Sequence, residues 1–235
     1  MNANNTHCTS NAMRSLPPLP SLPVVRSAAD LRKSHCFTNT AHWVIPGILM
    51  QGGRPLVTDQ ISNIVRETNC RTFACLQAEC VPEVGSILLG DGGVQDWKCD
   101  PMNLPTYCEE VRAVAKEIIA GPSSPMFLHY GIRDMSTVES MEGLVHVVSD
   151  LAKRIRLGET IYLHCWGGKG RAGLVSACLL IELYPDIDAN SALEYIHAFC
   201  QLRNMEGQEN VHYASPETED QKEQVREYYR RVTCK

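Results

Sequence analysis

The start of this 235-residue chain, MNANNTHCTSNAM, lacks the basic stretch and apolar core of a secretory leader. It also lacks the N-terminal glycine needed for myristoylation, and the cysteine of the closing VTCK is misplaced for prenylation. No apolar run approaches the roughly 18 residues that a membrane span requires. Positive charge is not in excess: 22 Lys and Arg stand against 27 Asp and Glu, a net charge of −5. That balance gives no general reason to expect nucleic-acid binding. No polybasic cluster or basic amphipathic helix marks a stable membrane surface. There is no pair of CxxC elements, so no zinc site is expected. Cys70, Cys75 and Cys80, the nearest approach, have no matching histidine. The eleven cysteines are odd in number and scattered through apolar segments such as TFACLQAEC and VSACLLIEL. That is not the framework of a small secreted domain, and the expected compartment is reducing: cytoplasm, with the nucleus left open.

What is present is an ordinary globular composition, 44% hydrophobic and 21% charged. Residues 1–40 read as a polar, proline-containing, flexible arm and 41–235 as one folded domain. In the arm, LPPLPSLP (Leu16–Pro23) favours extended polyproline II. It reads either as a linker lying along the domain or as a ligand for an SH3-type partner. Val44–Met50 reads as a strand broken at Pro46-Gly47, Thr58–Asn69 as a helix capped by Thr58 or Asp59, and Thr72–Gln77 as a short strand. Residues 78–104 read as loop, and Pro105 opens a helix through Val111, Val114, Ala115 and Ile118. Pro125–Tyr130 is a buried strand. The following helix carries a stripe of Met141, Leu144, Val145, Val148, Leu151, Ala152 and Ile155 and stops at Gly158. A strand TIYLHC, a helix Arg171–Tyr184 and helices over Ala189–Leu202 and Pro216–Val232 complete the chain. Alternating strands and helices predict an α/β domain with a central, mostly parallel sheet. Ligands of such sheets sit beyond the carboxyl ends of the strands.

IYLHCWGGKGRAG (Ile161–Gly173) lies at such an end. A helix beginning at Arg171 would turn free N–H groups and its positive dipole end toward the loop. The glycines allow the loop amides of Trp166, Gly167, Gly168, Lys169 and Gly170 to curl into an anion-binding concavity. Arg171 offers a forked pair of donors and Lys169 a point charge. The segment is not a nucleotide P-loop, because Lys169 is followed by Gly170 rather than Ser or Thr, and Ala172 has no hydroxyl for Mg²⁺. Cys165 reads either as a small core residue at a strand end or as a nucleophile. Cations and a helix N-terminus favour the thiolate, so the setting points to the nucleophile. Attack on phosphorus also requires a proton donor. Asp134 in HYGIRDMSTV follows a separate strand and is the candidate, the alternative being a cap for the next helix.

HCWGGKGRAG resembles the His-Cys-x5-Arg signature of the cysteine-dependent protein tyrosine and dual-specificity phosphatases, and IRDMST resembles their general-acid loop. WVIPGILMQGGRP and FACLQAE resemble the opening strands of the compact dual-specificity-like members, over roughly residues 40–232. The resemblance implies a protein tyrosine phosphatase-like fold, no metal and no other cofactor, and a phosphorylated protein as substrate. It implies that Cys165 forms a cysteinyl-phosphate and that Arg171 and the amides of residues 166–171 hold the phosphoryl oxygens. Asp134 protonates the leaving oxygen and then activates water, and His164 sits behind the thiol and tunes it. Two positions depart from the family. Ala172 replaces the usual Ser or Thr that helps the sulfur leave. Glu217 stands where PETEDQ would carry its first water-positioning glutamine, and Gln221 matches the second; the other reading of this segment is a helix N-terminus. Trp166 either lines the pocket mouth or packs beneath the loop. Three other functions remain open: a phosphoinositide or inositol phosphate phosphatase using Lys169, a phosphate-binding pseudophosphatase suggested by Ala172, and a rhodanese-like sulfur carrier, which would not need Asp134.

Overall fold

The computed structural model describes residues 13–22, 36–38, 40–96, 106–118, 124–203 and 214–234. Seven strands form one sheet in the order β1-β2-β3-β7-β4-β6-β5: β1 Cys36–Thr38, β2 Ala41–Ile45, β3 Leu49–Gly53, β4 Thr72–Gln77, β5 Ile87–Gly93, β6 Met126–Ile132 and β7 Ile161–Cys165. From β3 to β5 all neighbours are parallel, whereas β1, β2 and β3 pair antiparallel. The expected mostly parallel sheet is therefore present. Its strand broken at Pro46-Gly47 is instead a hairpin: Gly47 takes a left-handed φ of 72°, and Ile48 donates back to Ile45 at 3.0 Å. β5 falls within residues 78–104, for which the sequence predicts loop. Its glycines at 90, 92 and 93, all at positive φ, hid an edge strand with no apolar alternation. β1 lies inside the segment assigned to the arm and pairs with β2, so the folded unit begins before residue 41.

Period-two alternation in the strands sorts side chains onto two faces. On one side Met50, Phe73, Phe127 and Tyr162 meet helices α1 (Thr58–Thr68) and α2 (Cys108–Ile118). On the other side Leu49, Ala74, Leu76, Leu128, Leu163 and Cys165 meet α3 (Met141–Arg156), α4 (Gly170–Leu183), α5 (Ala189–Cys200) and α6 (Glu219–Thr233). Helix α4 is apolar nearly all round and almost wholly buried, as expected for a helix enclosed by the sheet and by α3, α5 and α6. Each buried leucine contributes roughly 1.5–3 kcal/mol. Pro105 lies outside the described residues, and α2 begins at Cys108. Helix α1 has Val57 at its N-cap with no side-chain bond, not Thr58 or Asp59.

The described part of the proline-rich segment is docked rather than free. Leu16 and Leu19, on one side of an extended three-residue repeat, pack against the large core. The Tyr184 hydroxyl donates to the Pro17 carbonyl at 2.9 Å, and Arg14 N donates to the Arg156 carbonyl at 2.6 Å. This favours the reading of an arm along the domain over a flexible SH3-type ligand, because the two leucines are already engaged. Pro23 lies outside the described residues. No helix among the described residues is long and apolar enough to cross a membrane.

Candidate active site

The parallel register sets Cys165 beside Gly53 at the carboxyl edge of the sheet. The chain then turns through Trp166–Lys169 into α4. The turn passes so close to β3 that a Cβ on Gly168, which has φ +66°, would lie 2.0 Å from the Gly52 carbonyl carbon; only glycine fits there. Gly173 is held as closely, since a Cβ would meet Ser215 Oγ at 2.4 Å. The loop rests on residues far away in sequence. Gln51 Nε2 donates to the Gly168 carbonyl and to Ser215 Oγ, both at 3.0 Å. Ser215 Oγ donates to the Lys169 carbonyl at 2.9 Å. Arg203 donates to the carbonyls of Gly167 (3.0 Å) and Gly168.

Arg171, 1% exposed, lies in the first turn of α4. Its Nη1 donates to Glu79 Oε2 at 2.7 Å and to the Ile132 carbonyl at 3.1 Å. Its Nη2 lies 2.8 Å from Asp134 Oδ1, an ion pair without hydrogen-bond alignment, so this buried donor has no hydrogen-bond acceptor in the protein. Burial opposes the charge, but the Glu79 hydrogen bond and the neighbouring Cys165, Glu79 and Asp134 outweigh it, and the guanidinium is held above its ordinary pKa. Burial also pushes the Glu79 carboxyl up, but Arg171 outweighs this and holds it below the usual carboxylate range. Residues from the ends of three strands thus converge: Glu79 after β4, Asp134 after β6, and Arg171 beyond β7.

Asp134 is exposed and does not cap the next helix; Ser140 does that, accepting from Gly143 N at 3.0 Å. The loop carrying Asp134 is tied to the start of α6. Gln221 Nε2 donates to the Ser136 carbonyl at 3.0 Å, and Gln224 exchanges two bonds with Val138, at 2.7 and 2.9 Å. The Gln221 amide oxygen accepts from Glu217 N and Thr218 N, completing a capping box. Gln221 lies against Gly170, and its carboxamide is engaged by backbone groups as the helix-start reading expects.

His164 points to the opposite face of the sheet from Cys165. Its Nε2 lies 2.8 Å from Tyr107 Oη and its Nδ1 3.4 Å from the Cys165 carbonyl. Burial, with the Arg54 charge nearby, holds the imidazole well below its ordinary pKa, and burial pushes the Tyr107 phenol up. A protonated phenol facing a neutral ring makes Nε2 the acceptor and turns Nδ1–H toward the Cys165 carbonyl. Trp166 is 38% exposed, which puts it at the surface rather than beneath the loop. Lys169 Nζ is 3.8 Å from Glu217 Oε1. Ala172 is fully buried.

Four site residues went unread in the sequence: Glu79, Gln51, Ser215 and Arg203. Glu79 lay within FACLQAE, and a carboxylate just past a strand end was the available signal. The other three act by backbone contacts that leave no local pattern.

Residues 112–221 match a family model described as PTP-SAK, Swiss Army Knife protein, DSP-PTPase phosphatase domain. Over 82 residues the chain is 42% identical to tyrosine phosphatase 067L of Invertebrate iridescent virus 3; the match spans 34% of this chain and 32% of that protein, about a third of its length. Among solved structures, Tk-PTP in its active form matches with TM-score 0.53 and 18% identity, covering 82% of this chain and 97% of the other. PTPMT1 in complex with PI(5)P matches with TM-score 0.52 and 18% identity, covering 83% and 97%. Kinase associated phosphatase (KAP) matches with TM-score 0.51 and 15% identity, covering 79% and 87%. The fold is that of the protein tyrosine and dual-specificity phosphatases. The matched residues 112–221 include Asp134, Cys165 and Arg171, so the similarity to a dual-specificity-like phosphatase domain covers the candidate site.

Proposed function

We propose that the chain hydrolyses phosphate monoesters on proteins, phosphotyrosine and also phosphoserine or phosphothreonine, through a cysteinyl-phosphate. The observation that carries this reading is the buried Arg171 Nη2, without a hydrogen-bond acceptor, held 2.8 Å from Asp134 Oδ1 beside the Cys165 loop. On this reading Arg171 binds the anion, Asp134 gives the proton and the thiol of Cys165 attacks from the loop beside them. The Cys165 thiolate attacks phosphorus. As the P–S bond forms, the P–O bond breaks and the Asp134 proton passes to the leaving oxygen. Water then attacks phosphorus, Asp134 takes its proton, the P–S bond breaks, and phosphate leaves with the thiolate restored. Arg171 and the loop amides hold the equatorial oxygens, and His164 acts on the thiol through the Cys165 carbonyl. The decisive test is phosphate release from phosphotyrosyl and phosphoseryl peptides in the presence of a chelator, with an acid quench to trap phosphate on Cys165. Release without a trapped thiophosphate ester would defeat the mechanism.

A phosphoinositide substrate would draw on Lys169. The nearby Glu217 carboxylate, 3.8 Å away, offsets that charge and favours the protein reading. Faster turnover of phosphoinositide in vesicles than of phosphopeptides would reverse the choice.

Asp134→Asn should lower kcat on a poor leaving group by roughly 10²-fold and change little on an aryl phosphate whose leaving group needs no proton. Equal activity of wild type and variant on both substrates would favour a sulfur-carrier reading. Ala172 leaves the sulfur without the hydroxyl that assists its departure. Stopped-flow kinetics of the wild type should show a burst of aryl alcohol close to one equivalent. Ala172→Ser should raise the steady-state rate about tenfold and abolish the burst. A wild type without a burst, unaffected by the serine, would show that Ala172 does not limit the second step.

A further inference from the structure

Every carbonyl of the turn between Cys165 and α4 is held from outside the turn or by α4 itself. Trp166 O accepts from Arg54 N at 3.0 Å, and Gly167 O from Arg203 Nη1 at 3.0 Å. Gly168 O accepts from Gln51 Nε2 at 3.0 Å and from Arg203 Nη2. Lys169 O accepts from Ser215 Oγ at 2.9 Å and from Gly173 N at 3.0 Å. In a trans peptide the carbonyl of one residue and the N–H of the next point in opposite directions. Holding these four carbonyls therefore turns the N–H groups of Gly167, Gly168, Lys169 and Gly170 away from these partners, where an oxyanion can meet them.

Arg203 makes the most of these contacts. It follows α5, is buried, and uses a fork of donors: Nε to His42 Nδ1 at 2.9 Å, Nη1 to Gly167 O, and Nη2 to Gly168 O and to Gln51 O (3.2 Å). Among the described residues no carboxylate pairs with it. A buried guanidinium satisfied only by neutral acceptors carries a charge without a counterion, which is costly unless an anion comes near. A bound dianionic phosphoryl group is such an anion.

We propose that Arg203, outside the Cys-x5-Arg signature, is the positioning residue of the oxyanion loop: it pins the loop carbonyls outward and adds a buried positive charge behind the cradle, with His42 orienting its fork. This inference rests on the phosphatase reading for its purpose, though not for its test, which reads oxyanion binding directly. Tungstate binding to the full chain is measured by calorimetry for wild type, Arg203→Met, Arg203→Lys and Val148→Ala, a core variant chosen to lower Tm without touching the loop. Circular dichroism checks the fold of each. Arg203→Met should lose tungstate affinity by at least about 30-fold, raise KM for an aryl phosphate in proportion, and lower kcat/KM by on the order of 10²-fold. Arg203→Lys keeps the charge but not the fork and should recover part of the loss, remaining about threefold or more below wild type. Val148→Ala should bind as wild type does. Wild-type affinity in a folded Arg203→Met overturns the inference. If that variant does not fold, wild-type affinity in Arg203→Lys overturns it, as does a matching affinity loss in Val148→Ala. Tungstate binding by wild type that depends on Arg203, without phosphatase turnover, would leave the inference standing and remove only the proposed function. A wild type that binds no tungstate overturns both.

Discussion

Cys165→Ser should reduce turnover of an aryl phosphate by on the order of 10⁴-fold or more and leave tungstate affinity within about threefold of wild type. The two halves of this expectation come from different parts of the site. In the proposed mechanism the thiolate is the nucleophile, and a serine hydroxyl at neutral pH is almost entirely protonated. Oxyanion binding is assigned in the same proposal to Arg171 and the loop amides, and the carbonyls of that loop are held by Arg54, Gln51, Arg203 and Ser215. None of those contacts uses the sulfur. Cys165 is 3% exposed at the end of β7, and serine is of similar volume, so the fold should persist. The measurement is phosphate release under single-turnover conditions paired with calorimetry. A serine variant retaining a tenth of wild-type turnover would show that another group attacks phosphorus. A variant that lost both turnover and tungstate binding would show that the sulfur helps to build the cradle.

The parts of this protein legible in its sequence are those whose physics is local. A strand followed by Gly-Gly-Lys-Gly-Arg and a helix reads as a candidate anion site because the three elements are contiguous, and the structure sets them in that order from β7 to α4. The apolar stripe of α3 and its stop at Gly158, which has φ +99°, were likewise readable. Asp134 reads as a candidate proton donor because it follows a separate strand, and β6 ends two residues before it. By contrast β5 was missed, because a glycine-rich edge strand has neither alternation nor apolar bulk. Gln221 admits two readings in the sequence because the same carboxamide chemistry serves a helix cap and a water site. Only the placement of Glu217 N and Thr218 N around its oxygen tells the two apart.

What the sequence could not display is the support behind the loop. Arg203 and Ser215 lie 32 and 44 residues beyond Arg171. They touch main-chain carbonyls, and a carbonyl has no sequence identity for a partner to match. A buried arginine near the end of an amphipathic helix reads as a solvated last-turn cation until the fold brings it against β3. The long-range contacts therefore carry the precision of the site, whereas the local motif carries its chemistry.

Arg171→Lys is expected to lower kcat/KM by roughly 10³-fold to 10⁴-fold while conserving net charge. The guanidinium does three things at once: Nη1 bonds Glu79 at 2.7 Å and the Ile132 carbonyl at 3.1 Å, and Nη2 reaches toward Asp134 at 2.8 Å. An ammonium on a flexible stem can satisfy one or two of these but cannot present two parallel donors to a phosphoryl group. The Ile132 carbonyl lies at the strand end before Asp134, so the acid loop loses its tie to the nucleophile loop, and Tm should fall by a few degrees. Glu79 supplies the diagnostic. Its carboxyl, held below the usual carboxylate range by Arg171, stays ionised at neutral pH. The stability it lends is fully present above the unfolded carboxylate pKa and is lost as pH falls through the folded value. Glu79→Gln alone should cost about tenfold in kcat/KM by loosening the arginine. In the Arg171→Lys background it should cost little, because there is no fork left to orient. Independent, multiplying losses in the double variant would show that Glu79 acts on the site by a route other than Arg171. A lysine variant within tenfold of wild type would show that charge alone, without the guanidinium geometry, carries oxyanion binding.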